Sequence, residues 1–202
     1  MSLILPPSPL YHVRHGQTDW NAEGRLQGQH DIPLNDLGRE QAARNGAAMR
    51  VHFHDNALDP AAFLWLASPL GRSRETMEIL RRGMGLDPAA YTVVPALREL
   101  TFGRWEGSTL PELKAREPEA TAARKADKWG FVPPEGESYA MLSARIGAWL
   151  AALPAPAVVV SHGGVQRVLT GLLLGTPAQE IPLLPVPQDR IFRYSAGAAD
   201  WF

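Results

Sequence analysis

Cysteine is absent from the chain. That excludes disulfides, thiolate zinc sites and a cysteine nucleophile, and it fits a reducing cytoplasm. Long apolar runs are missing too, and none reaches the ~18 residues a membrane-spanning helix needs. The opening Met1-Ser2-Leu3-Ile4-Leu5-Pro6-Pro7 lacks both the basic segment and the apolar length of a signal peptide. Net charge is nearly absent at -1, so no global field draws the chain to nucleic acid or to an anionic membrane. Any anion site must be local. No His-Glu-x-x-His or comparable ligand spacing occurs, which argues against a metal centre.

What is present suffices for one large domain over 1–202. The chain has 202 residues, 45% of them apolar, enough for a full hydrophobic core. The 18 prolines fall between periodic segments and punctuate them. Residues 10–14 read as a strand. Asn35 caps a helix running to about His52, with Leu37, Ala42 and Met49 inward. Residues 63–67 form a buried strand. Ser68 then caps a helix, with Pro69 in its first turn, that ends near Gly83 or Gly85. Residues 91–94 form a short strand, and 109–127 and 138–151 are helical. The strand at 157–161 leads into a helix from Val165 to Leu174 that stops at Gly175, and 191–194 closes the sheet. Strands alternating with helices predict a three-layer α/β/α sandwich with a largely parallel central sheet. The polar, proline-bracketed stretch 108–139 is the expected cap over its crevice.

Two short motifs stand where strands give way to helices: Arg14-His15-Gly16 and Ser161-His162-Gly163. In an open α/β sheet the carboxyl ends of the strands form the ligand crevice. Two imidazoles and an arginine delivered there suit a phosphoryl group, with His15 as candidate nucleophile. Arg14 and Arg72 offer forked guanidiniums for its oxygens. Protonated His162 would stabilise developing charge, and Gly163 could offer a backbone N–H. Asn21 could donate its amide. Glu99 is the candidate acid that protonates the leaving oxygen and then, as base, activates water. Glu106 is read as structural, His12 as packed, His30 as a loop residue, and His52 with His54 as solvated. Arg74, Arg81 and Arg82 are read as surface arginines. Thr18, Gln27 and Gly28 are candidate substrate contacts.

Taken in order, these segments resemble the histidine phosphatase superfamily, which includes the cofactor-dependent phosphoglycerate mutases. The match runs through Val13-Arg14-His15-Gly16-Gln17-Thr18 with Asn21, then Gly24-Arg25-Leu26-Gln27-Gly28 and Pro33-Leu34. It continues through Ser68-Pro69-Leu70-Gly71-Arg72, Glu99 to Gly107, Gly136-Glu137-Ser138 and Ser161-His162-Gly163-Gly164. The resemblance implies a phosphoglycerate mutase-like fold with His15 as the phosphorylated residue. It further implies that Arg14, Arg72 and His162 form the phosphate pocket, that Asn21 assists, that Glu99 is the proton donor, and that no metal ion takes part. No cofactor is expected.

Mutases of that family usually carry a small hydroxyl residue and Gly-Trp where this chain has Gln27-Gly28-Gln29. They usually carry Glu-Arg-His-Tyr-Gly where it has Glu99-Leu100-Thr101-Phe102-Gly103. Both differences point to the phosphatase branch, similar to broad-specificity, α-ribazole-5′-phosphate and fructose-2,6-bisphosphatase-like enzymes. His12, Gln17 and Ser73 depart from the common residues without removing a catalytic group. The expectation is a cytoplasmic, metal-independent phosphomonoesterase of the histidine acid phosphatase type, acting on a small phosphorylated metabolite. Phosphoglycerate mutase-type transfer and a non-catalytic phospho-ligand module are the alternatives. Leu110, Trp129 and Phe131 could wall the pocket or simply pack. The apolar end at Trp201-Phe202 fits either a homodimer interface or a frayed terminus.

Overall fold

The computed structural model describes residues 9–195 and 197–202, so the opening heptapeptide lies outside the described residues. In chain order the elements are β1 (Leu10–Arg14), α1 (Asp19–Ala22), α2 (Asp36–Asp55), β2 (Leu64–Ala67), α3 (Gly71–Gly83) and β3 (Thr92–Val93). Then follow α4 (Leu110–Arg116), α5 (Pro118–Ala126), α6 (Tyr139–Ala151), β4 (Ala157–Ser161), α7 (Gly163–Leu174), β5 (Ile191–Ser195) and β6 (Ala198–Trp201).

The six strands lie in the order β3-β2-β4-β1-β5-β6. The first four run parallel, whereas β5 is antiparallel to β1 and β6 antiparallel to β5. The central strands are covered on both faces, which is why Ala157-Val158-Val159-Val160 is apolar throughout rather than alternating. On one face α2 and α3 set Met49, Phe53, Met77 and Leu80 against Tyr11, Val13, Trp65, Val158 and Val160. On the other, α6 and α7 set Leu142, Ile146, Val165 and Leu169 against Leu10, Leu66, Val159 and Phe192. Burying each such side chain is worth roughly 1.5–3 kcal/mol. These are the three layers the alternation of elements predicts.

Several expectations need correction. Leu37 is not inward but 42% exposed, because the buried stripe of α2 runs through Gly38, Ala42, Asn45, Gly46, Met49 and Phe53. Ser68 does not cap the helix after β2. That helix begins at Gly71 with Leu70 as an N-cap lacking a side-chain bond, and the Ser68 hydroxyl meets His162 instead. The helix expected over 109–127 is two. Pro118 follows Glu117, whose φ -136 and ψ 64 interrupt the run, as the residue before a proline is pushed out of the helical region. The helix after β4 starts at Gly163, earlier than Val165.

Strand β5 does not close the sheet, because β6 covers its outer edge. Nor is the end frayed. Trp201 packs edge-on to Phe192 and Phe202 stacks on His52 at 4.3 Å. His52 is accordingly half-buried and bonded to the Tyr11 hydroxyl at 2.9 Å, not solvated. Arg81 is buried too, its guanidinium 4.6 Å above the Trp65 ring and its Nε donating to the Asp87 carbonyl. Desolvation of a cation is tolerated there because the ring face and the carbonyl replace water.

Glycine has a steric purpose where the first motif turns. A Cβ on Gly16 would strike the Gly38 backbone, and one on Gly38 would strike the backbone of Gln17. The N-terminal turn of α2 thus lies directly against the loop that follows β1.

Candidate active site

Strands β1 and β4 are parallel neighbours with Arg14 opposite Ser161. A histidine follows each strand, so His15 and His162 leave the sheet side by side, their ring centroids 5.2 Å apart. The His15 N–H donates to the Ser161 carbonyl at 2.9 Å, which ties the two motifs together. Strand β2 ends beside β4 through the Ser68 N–H and the Val160 carbonyl at 3.0 Å. Arg72, near the start of α3, is thereby brought to the same point.

His15 is 3% exposed. Its Nδ1 lies 2.8 Å from the Gly16 carbonyl oxygen. A carbonyl can only accept, so Nδ1 carries the proton and Nε2 keeps its lone pair. Burial, reinforced by the Arg72 and Arg14 guanidiniums, holds this imidazole well below the usual histidine range. It is neutral at physiological pH. The Arg72 Nε sits 3.3 Å from His15 Nε2, while its two terminal nitrogens donate to the His30 and Gly28 carbonyls at 2.6 and 2.8 Å. The guanidinium is therefore fixed by backbone before any ligand arrives. Arg14 donates to the Val186 carbonyl at 2.7 Å, and its Nε is buried without a partner. Burial lowers Arg14 to about 10, with Glu99 opposing, so it stays charged at neutral pH.

His162 places Nε2 2.7 Å from the Ser68 hydroxyl and 3.4 Å from that of Ser73, and leaves Nδ1 buried and unpartnered. Burial, then the Arg72 charge, holds it well below the ordinary range, so His162 is neutral here and not the protonated group expected from the sequence. Gly163 heads α7 beside Arg14: a Cβ there would come 3.4 Å from Arg14 Nε. Arg14 Nε and His162 Nδ1, both buried without a partner, and the N-terminal N–H groups of α7 are groups of the kind that an anion takes up.

Glu99 is half-buried. Its two oxygens accept the Gly164 and Leu100 N–H groups at 2.9 and 3.0 Å. Its charge is felt at both Arg14 and Arg72. Gly164 is required for this, since a Cβ there would collide with the Glu99 carboxylate. Asn21 uses its Oδ1 in a capping box with Thr18 and in a bond from Gln188, which leaves its Nδ2 to donate.

Not every predicted residue reaches the site as expected. Thr18 is wholly buried with its hydroxyl spent on the cap of α1. Gly28 contributes a carbonyl to Arg72 rather than a surface. Gln27 is buried with Oε1 unpartnered, whereas the neighbouring Gln29 bonds the Glu99 carbonyl. Glu106 behaves as a structural residue. Burial raises its pKa, but bonds from Thr101, His30 and the N–H groups of Gln29 and Phe102 outweigh that and hold it below the usual range. His12 is fully buried, 2.6 Å from the Ser161 hydroxyl, and desolvation lowers it to about 3.

No sequence signal points to Gln188. Its amide donates to the His15 carbonyl at 3.0 Å and to Asn21 Oδ1 at 3.1 Å, bracing both motif residues. It lies in an irregular proline-rich segment with no periodicity or motif to mark it. Among the described residues, no cluster of three His, Asp or Glu side chains is arranged to hold a metal ion.

A family model of the histidine phosphatase superfamily (branch 1) matches residues 10–201. The probable phosphoglycerate mutase GpmB of Cronobacter sakazakii is 37% identical over 197 residues, covering 95% of this chain and 86% of the relative. A glucosyl-3-phosphoglycerate phosphatase of Mycolicibacterium vanbaalenii is 35% identical over 188 residues, covering 87% and 78%. The crystal structure of the α-ribazole phosphatase of Shigella flexneri superimposes with a TM-score of 0.77 at 28% identity, covering 95% of this chain and 93% of that one.

Proposed function

The chain belongs to the histidine phosphatase superfamily, and from that starting point we infer that it hydrolyses phosphomonoesters through a phosphohistidine at His15. The observation that carries the reading is the state of His15: neutral, with Nδ1 held by the Gly16 carbonyl and Nε2 beside Arg72. In the first step the Nε2 lone pair forms the N–P bond as the ester P–O bond breaks. The departing oxygen takes its proton from the Glu99 carboxyl. In the second, a water gives its proton to the Glu99 carboxylate, attacks phosphorus and breaks the N–P bond, returning both groups to their starting states.

Arg14, Arg72, His162, Asn21 and the Gly163 N–H hold the phosphoryl oxygens. This fixed set of donors stabilises the charge that spreads over the equatorial oxygens during transfer. It is built entirely from this chain's own side chains and backbone, so the reading needs neither metal nor cofactor. The segment 108–139 caps the crevice. It is joined to the loop after α1 by the Arg25–Thr109 bridge and to the 181–183 turn by Lys128 on the Pro182 carbonyl. The substrate is a small phosphorylated metabolite met in the cytoplasm.

Curated relatives include proteins named for mutase and for phosphatase activity. Hydrolysis is favoured by Leu100-Thr101-Phe102 following Glu99 and by Gln29 reaching the Glu99 carbonyl, since both depart from the mutase pattern. The test is hydrolysis of an activated aryl phosphate in excess chelator, with rapid quench to trap acid-labile phosphoprotein. Turnover with a labelled His15 is expected. Absence of turnover together with interconversion of 3- and 2-phosphoglycerate would replace hydrolysis by mutase transfer.

A further inference from the structure

The residues 182–186 hold three cations in sequence. The Pro182 carbonyl accepts from Lys128 Nζ at 2.8 Å, the Leu184 carbonyl from Arg167 Nε at 2.8 Å, and the Val186 carbonyl from Arg14 at 2.7 Å. Each carbonyl satisfies one donor of its cation, and Arg167 also donates through Nη1 to the Tyr139 hydroxyl at 3.3 Å. Four residues of chain span at most about 14 Å, so the row starting at Arg14 extends no farther than one small molecule could reach. Arg167 is close enough to act electrostatically on Arg14 at one end and on Arg124 and Lys128 at the other.

The far end of that row opens into a cavity of about 780 Å³ between α4, α5 and the 179–183 segment. Lys114, Arg124, Lys125 and Lys128 line it, no acidic side chain does, and Leu110 and Leu183 supply an apolar wall. A cavity this size takes a ligand far larger than phosphate. Of the three aromatic or aliphatic residues expected to wall a pocket, only Leu110 faces it. Trp129 packs on the core and Phe131 stacks on Trp105. Arg124 makes no hydrogen bond or ion pair with any described residue, and burial lowers it. Lys128 is pushed down to about 8 by burial and by Arg124 and Arg167 beside it. Cations crowded together without counter-charge are destabilising in themselves, and an incoming anion relieves that cost.

We propose that this cavity, with Arg124 and Lys128 as its anion-binding side chains, receives the leaving-group end of the substrate and selects esters bearing a second anionic group. The preferred substrate is then a phosphomonoester whose alcohol has an apolar body and carries a carboxylate or a second phosphate at its far end. This rests on the phosphatase reading above, and it names the class of ester which that site takes.

The test uses three esters with one eight-carbon body: octyl phosphate, 8-(phosphonooxy)octanoate and octane-1,8-diyl bisphosphate. Wild type should favour one or both of the doubly anionic esters over octyl phosphate at least tenfold in kcat/KM, mainly through KM. Preference for the carboxylate or for the bisphosphate identifies the anion. Arg124→Gln, which loses no hydrogen bond, should reduce the ratio severalfold, and Arg124→Gln with Lys128→Gln should bring it to within about twofold of one. Equal use of all three esters by wild type, or a preference that survives in the double variant, overturns the proposal. Should neither these esters nor the aryl phosphate be hydrolysed, the phosphatase reading fails. The cavity is then judged by calorimetric binding of the same esters. A tenfold affinity difference that Arg124→Gln erodes upholds it, and equal affinities overturn it.

Discussion

On the proposed mechanism, one hydrogen bond and the removal of water make His15 the nucleophile. The Gly16 carbonyl fixes the tautomer and burial keeps the ring neutral. His15→Ala should therefore leave less than about a thousandth of wild-type turnover, the residue expected when binding groups remain but the nucleophile is gone. Survival of substantial activity in that variant would mean that another group attacks phosphorus. Glu99 is tested through its leaving group. Glu99→Gln should depress hydrolysis of alkyl esters by a hundredfold or more and that of nitrophenyl esters far less, because a good leaving group needs no proton. Equal losses on both would remove Glu99 from the acid role. Arg72 shows why residue type alone misleads: a surface fate is usual for arginine, yet this one is 1% exposed and braced by two carbonyls. Its place in Ser68-Pro69-Leu70-Gly71-Arg72 marks it, whereas Arg81, in no motif, carries no such mark and is buried all the same.

Among elements, the packing of α2 against the β1 loop and of α7 against Glu99 depends on missing side chains. Gly16→Ala would drive a methyl into the Gly38 backbone, an overpacking that costs about 1–3 kcal/mol. Chemical denaturation should show that loss, with activity falling further because the Arg14–His15 loop must move. Gly164→Ala would push the Glu99 carboxylate off its N–H. The expected outcome is a near-normal melting temperature with kcat reduced at least tenfold, and unchanged kcat would show that the carboxylate position is unimportant. Helix boundaries were legible where a local signal controls them, as with Asn35 capping α2. They were misplaced where a distant group competes, as with Ser68, whose hydroxyl goes to His162 instead of to the next helix.

At the scale of the whole molecule, buried imidazoles set the acid limit of stability. His12, His15 and His162 all have folded-state values depressed chiefly by desolvation, His12 to about 3. The unfolded chain binds protons first, near pH 6.5, so their contribution is complete above that value and declines as pH falls toward the folded values. Each group subtracts up to about 1.4 kcal/mol per pH unit in that window. Unfolding free energy should fall from pH 6.5 to 5, above the range where carboxylates titrate, and His12→Gln should lower the slope by about one proton. A slope unchanged in that variant would show that His12 is not held neutral. No helix among the described residues is long and apolar enough to cross a membrane. By itself the amino-acid order determined five of the six strands, the cap of α2, the layered α/β class and the motif residues, because periodicity, capping chemistry and glycine turns act over a few neighbours. Only the tertiary structure decided that β5 and β6 run antiparallel, that Gln188 braces His15, and that Lys128, Arg167 and Arg14 form one row. Those relations join segments far apart in sequence, and they arise from strand order and side-chain burial, which leave no local pattern to read.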